Sequence, residues 1–280
     1  MMGKKMEGAV IGQLIDYSLS PLIFRFLSER LEKKISYQAI HLPSEQLGEF
    51  LSGIKSGDFF GCNVTVPYKE KVLPLMDFLS PEAKEIGAVN VVHCQDGKMM
   101  GHNTDCFGFT QSVLEQELQL EDQKVLLIGV GGAARAIAYS LAGFSVRQVN
   151  IVNRTGEKAE SLCQSMRVLF PQTEWIPSLQ EEKFHLCINA TPVATSVEIR
   201  KIFGEKDCKN LMARTACVFD LVYAPRTTCF LECARKYGVK AIDGLDMLIW
   251  QALASWEIWF GQLENQKEVK TALKEHLLTR

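Results

Sequence analysis

Two short runs of this chain have the residue types and spacing to bind a dinucleotide. In GVGGAAR, Gly129, Gly131 and Ala134 stand in the spacing of the dinucleotide fingerprint, whose third position accepts alanine. The run follows the apolar KVLLI and opens the helix-like AARAIAYSLAG, so free backbone N–H groups and the positive end of a helix can face a pyrophosphate. Gly129 allows the tight turn, and Gly131 lets phosphates approach the backbone with no Cβ in the way. After the next strand-like run comes Asn153-Arg154-Thr155. An acidic residue there would pair with ribose hydroxyls, whereas an arginine flanked by hydrogen-bonding side chains suits a 2′-phosphate and predicts NADP over NAD.

A hydride delivered to a ketone leaves negative charge on oxygen, so a dinucleotide enzyme needs a proton donor beside that carbonyl. The histidines are His41, His93, His102, His185 and His276, none in a telling setting, although His102 lies near Asp105. From the residues alone His102, Lys69 and Tyr223 all stay open as the donor. The nine cysteines are dispersed with no CxxC pair, which predicts neither a disulfide framework nor a zinc site and suits a reducing cytoplasm. Cys187 and Cys217 read as small buried hydrophobes, and the position of Cys106 beside Asp105 is weak ground for a reactive thiol. No His, Cys and carboxylate cluster has metal-ligand spacing, so no metal is expected.

The elements that must position these residues alternate between strand and helix patterns, which predicts an α/β architecture. AVIG, YQAIHL, FFGCNVTV and AVNVVHC read as strands, and PLIFRFLSERL reads as an amphipathic helix with Ser20 at its N-cap and Pro21 at its first position. SPEAKEIG repeats that Ser-Pro start signal. From about residue 107 the pattern becomes strand, glycine turn, helix and strand, a βαβ unit that HLCINAT and ACVFDLVY can extend as further parallel strands. The aromatic tail DMLIWQALASWEIWFG is a long helix whose rings need a large apolar partner, so it is expected to return to the first domain.

With 280 residues, 47% hydrophobic and 23% charged, the chain can bury two modest cores, and its net charge of -2 is spread without basic blocks. Nucleic acid and anionic membranes are therefore not expected partners, and a small molecule is. No apolar run reaches the roughly 18 residues of a membrane span, and MMGKKMEG lacks a secretory pattern. A monomer or a homodimer would equally suit this composition.

Several blocks in order carry a family resemblance: SLSP at 18–21, NVTVPYKE at 63–70, GAVN at 87–90, GHNTD at 101–105, GVGGAAR, NRT, DLVYAP at 220–225 and DGLDMLIWQA at 243–252. Over nearly its full length the chain resembles the shikimate dehydrogenases. The resemblance implies an N-terminal α/β substrate domain, residues 1–106 plus 242–280 with the C-terminal helix returning to it, and a Rossmann-type NADP-binding domain at 107–241. It implies reduction of 3-dehydroshikimate to shikimate with NADPH, in aromatic amino-acid (chorismate) biosynthesis, with Lys69 as acid/base and Asp105 as its partner in the interdomain cleft. It places Ser18 and Ser20 on the substrate carboxylate, Thr65, Asn90 and Gln251 on its hydroxyls, and Tyr223 near the carboxylate and nicotinamide. The cofactor residues it implies are Gly129, Gly131, Gly132, Ala133, Asn153, Arg154, Thr155 and Gly244.

The chain departs from that family pattern at Leu14, Tyr17 and the INATPVATSVEIR segment, where the family has proline, histidine and a Gly-Met loop. These departures keep two alternatives in view: a quinate/shikimate dehydrogenase with broader cofactor use, and a non-catalytic dinucleotide-binding sensor.

Overall fold

The two-residue turn Asp96-Gly97, both residues at positive φ, closes a hairpin whose open end carries the first group of polar residues. Its strands are β5 (Val91–Gln95) and β6 (Lys98–His102). They belong to a six-stranded mixed sheet with β1 (Met6–Gly12), β2 (Ile35–His41), β3 (Gly61–Val64) and β4 (Phe78–Leu79), in the order β2-β1-β3-β5-β6-β4. β1 pairs in parallel with β2 and β3, and the β3-β5 and β5-β6 pairs are antiparallel. This computed structural model describes residues 5–13, 15–179, 182–192, 205–224 and 227–279. The chain divides into two compact units, 1–108 with 249–280, and 109–248.

In the first unit, the helices are α1 (Ser20–Arg30), α2 (Leu47–Ser56), α3 (Pro81–Ile86) and the start of α4 (Asp105–Glu115). Ser80 caps α3 as its Ser-Pro signal predicts: its backbone is extended and its hydroxyl accepts from the Ala83 N–H at 3.2 Å. The same signal misplaces the start of α1. Ser20 is the first helical residue there, and the cap position falls to Leu19, whose φ of -80° and ψ of -7° are already helical. The hydroxyl that serves the exposed N–H is that of Ser18, accepting from Ser20 N–H at 3.3 Å.

The second unit is a wholly parallel sheet of β7 (Lys124–Ile128), β8 (Gln148–Val152), β9 (Glu174–Ile176), β10 (Phe184–Asn189), β11 (Thr215–Asp220) and β12 (Lys240–Ile242). Its order is β12-β11-β10-β7-β8-β9, so β7 and β10 flank the point where the chain reverses direction across the sheet. Residues of β7 alternate between two apolar clusters, Val125 and Leu127 in one and Leu126 and Ile128 in the other. That alternation is the mark of a sheet buried on both faces. Its helices are α5 (Gly132–Gly143), α6 (Gly156–Leu169), α7 (Glu205–Met212) and α8 (Cys229–Lys236).

The chain ends in α9 (Leu245–Phe260) and α10 (Gln266–Leu278). From Ile249 onward this tail belongs with the N-terminal residues. Trp250 and Trp256 are buried, and the Trp259 ring packs 5.4 Å from Phe24 and 5.2 Å from Phe60. A Cβ at Gly61 would come within 2.6 Å of Trp259 Nε1, so this glycine lets the indole lie on β3. No described helix is long and apolar enough to cross a membrane.

Candidate functional site

The first polar cluster is assembled by strand pairing. The hairpin register sets Val91 opposite His102, and Asn90 N–H continues the ladder to His102 O at 2.9 Å. Asn90 therefore faces the residues that follow β6. Lys69, in the stretch after β3, is drawn to the same place because Val89 N–H donates to its carbonyl at 2.8 Å. Lys69 Nζ meets Asp105 Oδ2 at 2.6 Å, with only 12% and 7% of the two side chains exposed. Asp105 opens α4, where the helix end favours a negative charge.

Asn90 binds the other carboxylate oxygen, donating from Nδ2 to Asp105 Oδ1 at 2.9 Å. Gln251 Oε1 lies 3.4 Å from the same nitrogen. The Asn90 amide is oriented by Thr104, whose N–H donates to Oδ1 at 2.7 Å. Asp105 N–H is held by Asn103 Oδ1 at 3.0 Å, a local turn that sets the entry into α4. The structure thus brings Lys69, Asn90, Asp105 and Gln251 together in a buried group carrying one cation, one anion and two amides. Ser18 and Ser20 meet each other at the start of α1. Thr65 stands at the exit of β3, its methyl packed so closely over Gly12 that a side chain there would collide with it.

Two other candidates turn elsewhere. His102 Nε2 lies 3.2 Å from His93 Nε2 with the rings stacked, and burial together with His93 pushes its pKa down to about 4. A neutral imidazole paired to a second imidazole is a poor proton donor near neutral pH. The Cys106 thiol donates to Asn103 O, and burial followed by the Asp105 charge raises its pKa to about 12, so it is not a reactive thiol.

The second cluster lies at the carboxyl ends of the parallel strands. Gly129 follows β7 with φ of +110°, and a Cβ there would come within 3.0 Å of Thr191 and 3.2 Å of the Ala190 carbonyl. Only glycine meets both demands. A Cβ at Gly131 would meet nothing within 4 Å, so the approach to the start of α5 is open, and Gly132 and Ala133 begin that helix. This space beside a helix N-terminus fits a phosphate group. Asn153, Arg154 and Thr155 follow β8, Arg154 is exposed, and Asn153 Nδ2 donates to Thr155 O at 3.1 Å. A side chain at Gly244 would collide with the Leu221 backbone in the turn before α9, and Tyr223 lies in the loop after β11.

Some residues that shape these clusters are not among the site residues expected from the sequence, although Asp220, Thr104 and Asn63 lie within the blocks quoted above. Asp220 is fully buried and accepts from Asn189 Nδ2 at 2.9 Å and Thr228 Oγ1 at 2.6 Å, tying the ends of β10 and β11. Burial raises its pKa to about 6, against those hydrogen bonds. Thr104, Asn63 and Ser255 are of the same kind. The signal that could have found two of them is periodic: Asn63 shares a strand face with Thr65, and Ser255 lies one helical turn after Gln251. Of the departing positions, Tyr17 is 80% exposed, and Leu14 and 193–200 lie outside the described residues.

A buried ammonium–carboxylate pair among amides, together with a 3-2-1-4-5-6 parallel sheet carrying a glycine turn, defines a two-unit α/β oxidoreductase of the dinucleotide-binding class. Family models match along the chain: the shikimate dehydrogenase substrate binding domain over residues 10–92, shikimate / quinate 5-dehydrogenase over 111–227, and the shikimate 5′-dehydrogenase C-terminal domain over 244–274. The shikimate dehydrogenase (NADP(+)) of Carboxydothermus hydrogenoformans is 33% identical over 275 residues, 96% of each chain. That of Caldanaerobacter subterraneus subsp. tengcongensis is 37% identical over 257 residues, 90% of this chain and 91% of its own. Among solved structures, shikimate dehydrogenase from Aquifex aeolicus aligns with a TM-score of 0.82 at 32% identity over 98% of both chains. Shikimate 5-dehydrogenase from Thermus thermophilus, in complex with NADP(H) and shikimate, aligns at 0.80 and 31% identity over 96% of this chain and 99% of its own. The chain belongs to the shikimate dehydrogenase family.

Proposed function

We propose that this protein reduces 3-dehydroshikimate to shikimate with NADPH, in the chorismate branch of aromatic biosynthesis, with Lys69 and Asp105 at the reacting carbonyl. The observation that carries this reading is the 2.6 Å pair between Lys69 Nζ and Asp105 Oδ2, buried beside the Asn90 and Gln251 amides. A nicotinamide held here would supply the hydride in one direction and take it up in the other. Lys69 donates a proton to the oxygen as it gains charge, and the Asp105 carboxylate holds the ammonium in place and accepts from a substrate hydroxyl. Asn90, Gln251 and Thr65 offer neutral donors and acceptors to the remaining hydroxyls, as a polyol requires. Ser18 and Ser20, at the positive end of α1, hold the carboxylate, and Tyr223 serves the carboxylate side near the nicotinamide.

In this reading residues 1–106 with 242–280 bind substrate and 107–241 bind cofactor. Gly129, Gly131, Gly132 and Ala133 take the pyrophosphate, Arg154 with Asn153 and Thr155 takes the 2′-phosphate, and Gly244 keeps the backbone close to the cofactor. The two relatives described above are both NADP(+) enzymes by name, which supports the choice of dinucleotide. The dispersed cysteines, with no CxxC pair, suit work in a reducing cytoplasm.

The test is absorbance at the reduced-nicotinamide band with purified chain, shikimate and NADP+, repeated with NAD+ and with quinate. Rapid signal with shikimate and NADP+ is expected. Equal specificity constants for quinate would move the assignment to a quinate/shikimate enzyme, and silence in every pairing from folded protein that still binds NADPH would favour the sensor.

A further inference from the structure

Hydrogen bonds, part-buried at Tyr37 and buried beyond it, link the aromatic cluster of the first unit to Asn63, Ser255, Thr104 and Asn90, and what each atom is able to donate sets their directions. Asn63 Nδ2 lies 3.2 Å from the Asn90 carbonyl, which can only accept, so the amide nitrogen must be on that side. Asn63 Oδ1 then faces Tyr37, whose hydroxyl donates to it at 2.6 Å. Burial holds the Tyr37 hydroxyl well above its ordinary pKa, which keeps that proton available.

Ser255 is the junction. It is fully buried on α9, and its Oγ has three polar neighbours: the Gln251 backbone carbonyl at 2.7 Å, Asn63 Nδ2 at 3.0 Å and Thr104 Oγ1 at 3.3 Å. The carbonyl can only accept, so it takes the single serine proton, and the two lone pairs are left for Asn63 and Thr104. Thr104 therefore donates to Ser255 and keeps its own lone pair for Asn90 Nδ2 at 3.0 Å. Without Ser255 the Thr104 proton is free to turn toward Asn90 Oδ1, 3.3 Å away, so the Thr104 hydroxyl no longer has one fixed setting against the Asn90 amide, which keeps its bonds from Thr104 N–H and to Asp105 Oδ1. The junction ties together β3, the turn before α4, and α9.

We infer that Ser255 is a positioning residue for substrate binding, fixing the Thr104 hydroxyl that accepts from the Asn90 amide, at the junction where hydrogen-bond arms from Tyr37 and from Asn90 converge. This rests on the shikimate dehydrogenase reading above. Lys69 and Asp105 are held by their own direct bond and by Asn103, so loss of the junction weakens substrate binding more than turnover.

The experiment compares wild type, Ser255→Ala, Tyr37→Phe and the double variant by steady-state kinetics with shikimate and NADP+, with thermal unfolding alongside. Tyr37→Phe keeps the ring that stacks 4.1 Å from Phe24 and removes only the hydroxyl, so it keeps the inference testable if Ser255→Ala folds poorly. Ser255→Ala is expected to raise KM for shikimate about tenfold, with kcat within about threefold of wild type and KM for NADP+ unchanged. Tyr37→Phe is expected to raise the same KM about threefold, and the double variant to match Ser255→Ala because both act through one chain of bonds. A melting temperature that falls while KM for shikimate stays within about twofold would overturn the inference and leave a structural role only. A wild-type chain inactive toward shikimate would instead overturn the functional reading itself, and the substrate role of Ser255 with it.

Discussion

Replacing Lys69 by methionine removes a charge while keeping the space filled, and the structure fixes what should follow. At 2.6 Å and with side chains 12% and 7% exposed, the Lys69–Asp105 pair is among the buried kind whose loss leaves an uncompensated ion. Breaking such a pair costs about 3–5 kcal/mol. Asp105 keeps one charge-assisted bond, from Asn90 Nδ2 at 2.9 Å, and its place at the start of α4, so the lower end of that range, about 3 kcal/mol, is expected at neutral pH. Adding Asp105→Asn should restore most of the loss, because no charge is then left buried, while turnover stays abolished. Urea unfolding followed by tryptophan fluorescence reads this well, because Trp250, Trp256 and Trp259 all lie in the unit that holds the pair. A Lys69→Met variant within about 1 kcal/mol of wild type, or a double variant no more stable than the single one, would refute the argument that the pair is shielded from solvent.

Gly129→Ala should weaken NADPH binding at least about tenfold, as the left-handed backbone and the Thr191 contact at 3.0 Å both resist a Cβ; unchanged affinity by calorimetry would count against this turn as the pyrophosphate site. Arg154→Ser should raise KM for NADP+ about tenfold or more and leave that for NAD+ nearly unchanged, and parallel changes in both would remove Arg154 from 2′-phosphate recognition. Asp220, with its pKa raised to about 6 by burial, holds a proton that an unfolded carboxyl of ordinary pKa near 3.8 has released. Its stabilising contribution is therefore complete below about pH 4 and lost as pH rises through about 6. Asp220→Asn should flatten that part of the stability profile in thermal unfolding between pH 4 and 7, and an unaltered profile would show that another group sets it.

Local pattern was sufficient for much of this molecule. The alternation of apolar residues in KVLLI, the glycine turn after it and the helix that follows each depend on neighbours a few residues apart, so the βαβ unit and its phosphate-facing turn are legible in the sequence itself. The Ser-Pro signal worked for α3 and missed by a residue at α1, where Leu19 took helical dihedrals that no local rule assigns. From the residues alone His102, Lys69 and Tyr223 could not be ranked as proton donor, and only the resemblance to a family singled out Lys69 and Asp105. What tertiary structure decided is which side chains meet. Lys69 and Asp105 are 36 residues apart, Asn90 and Gln251 are 161 apart, and Asn63 and Ser255 are 192 apart. Strand register and the return of α9 create those contacts. They also turn His102 toward His93 and bury Asp220, Thr104 and Ser255, whose hydrogen bonds and charge states depend on neighbours distant in the chain.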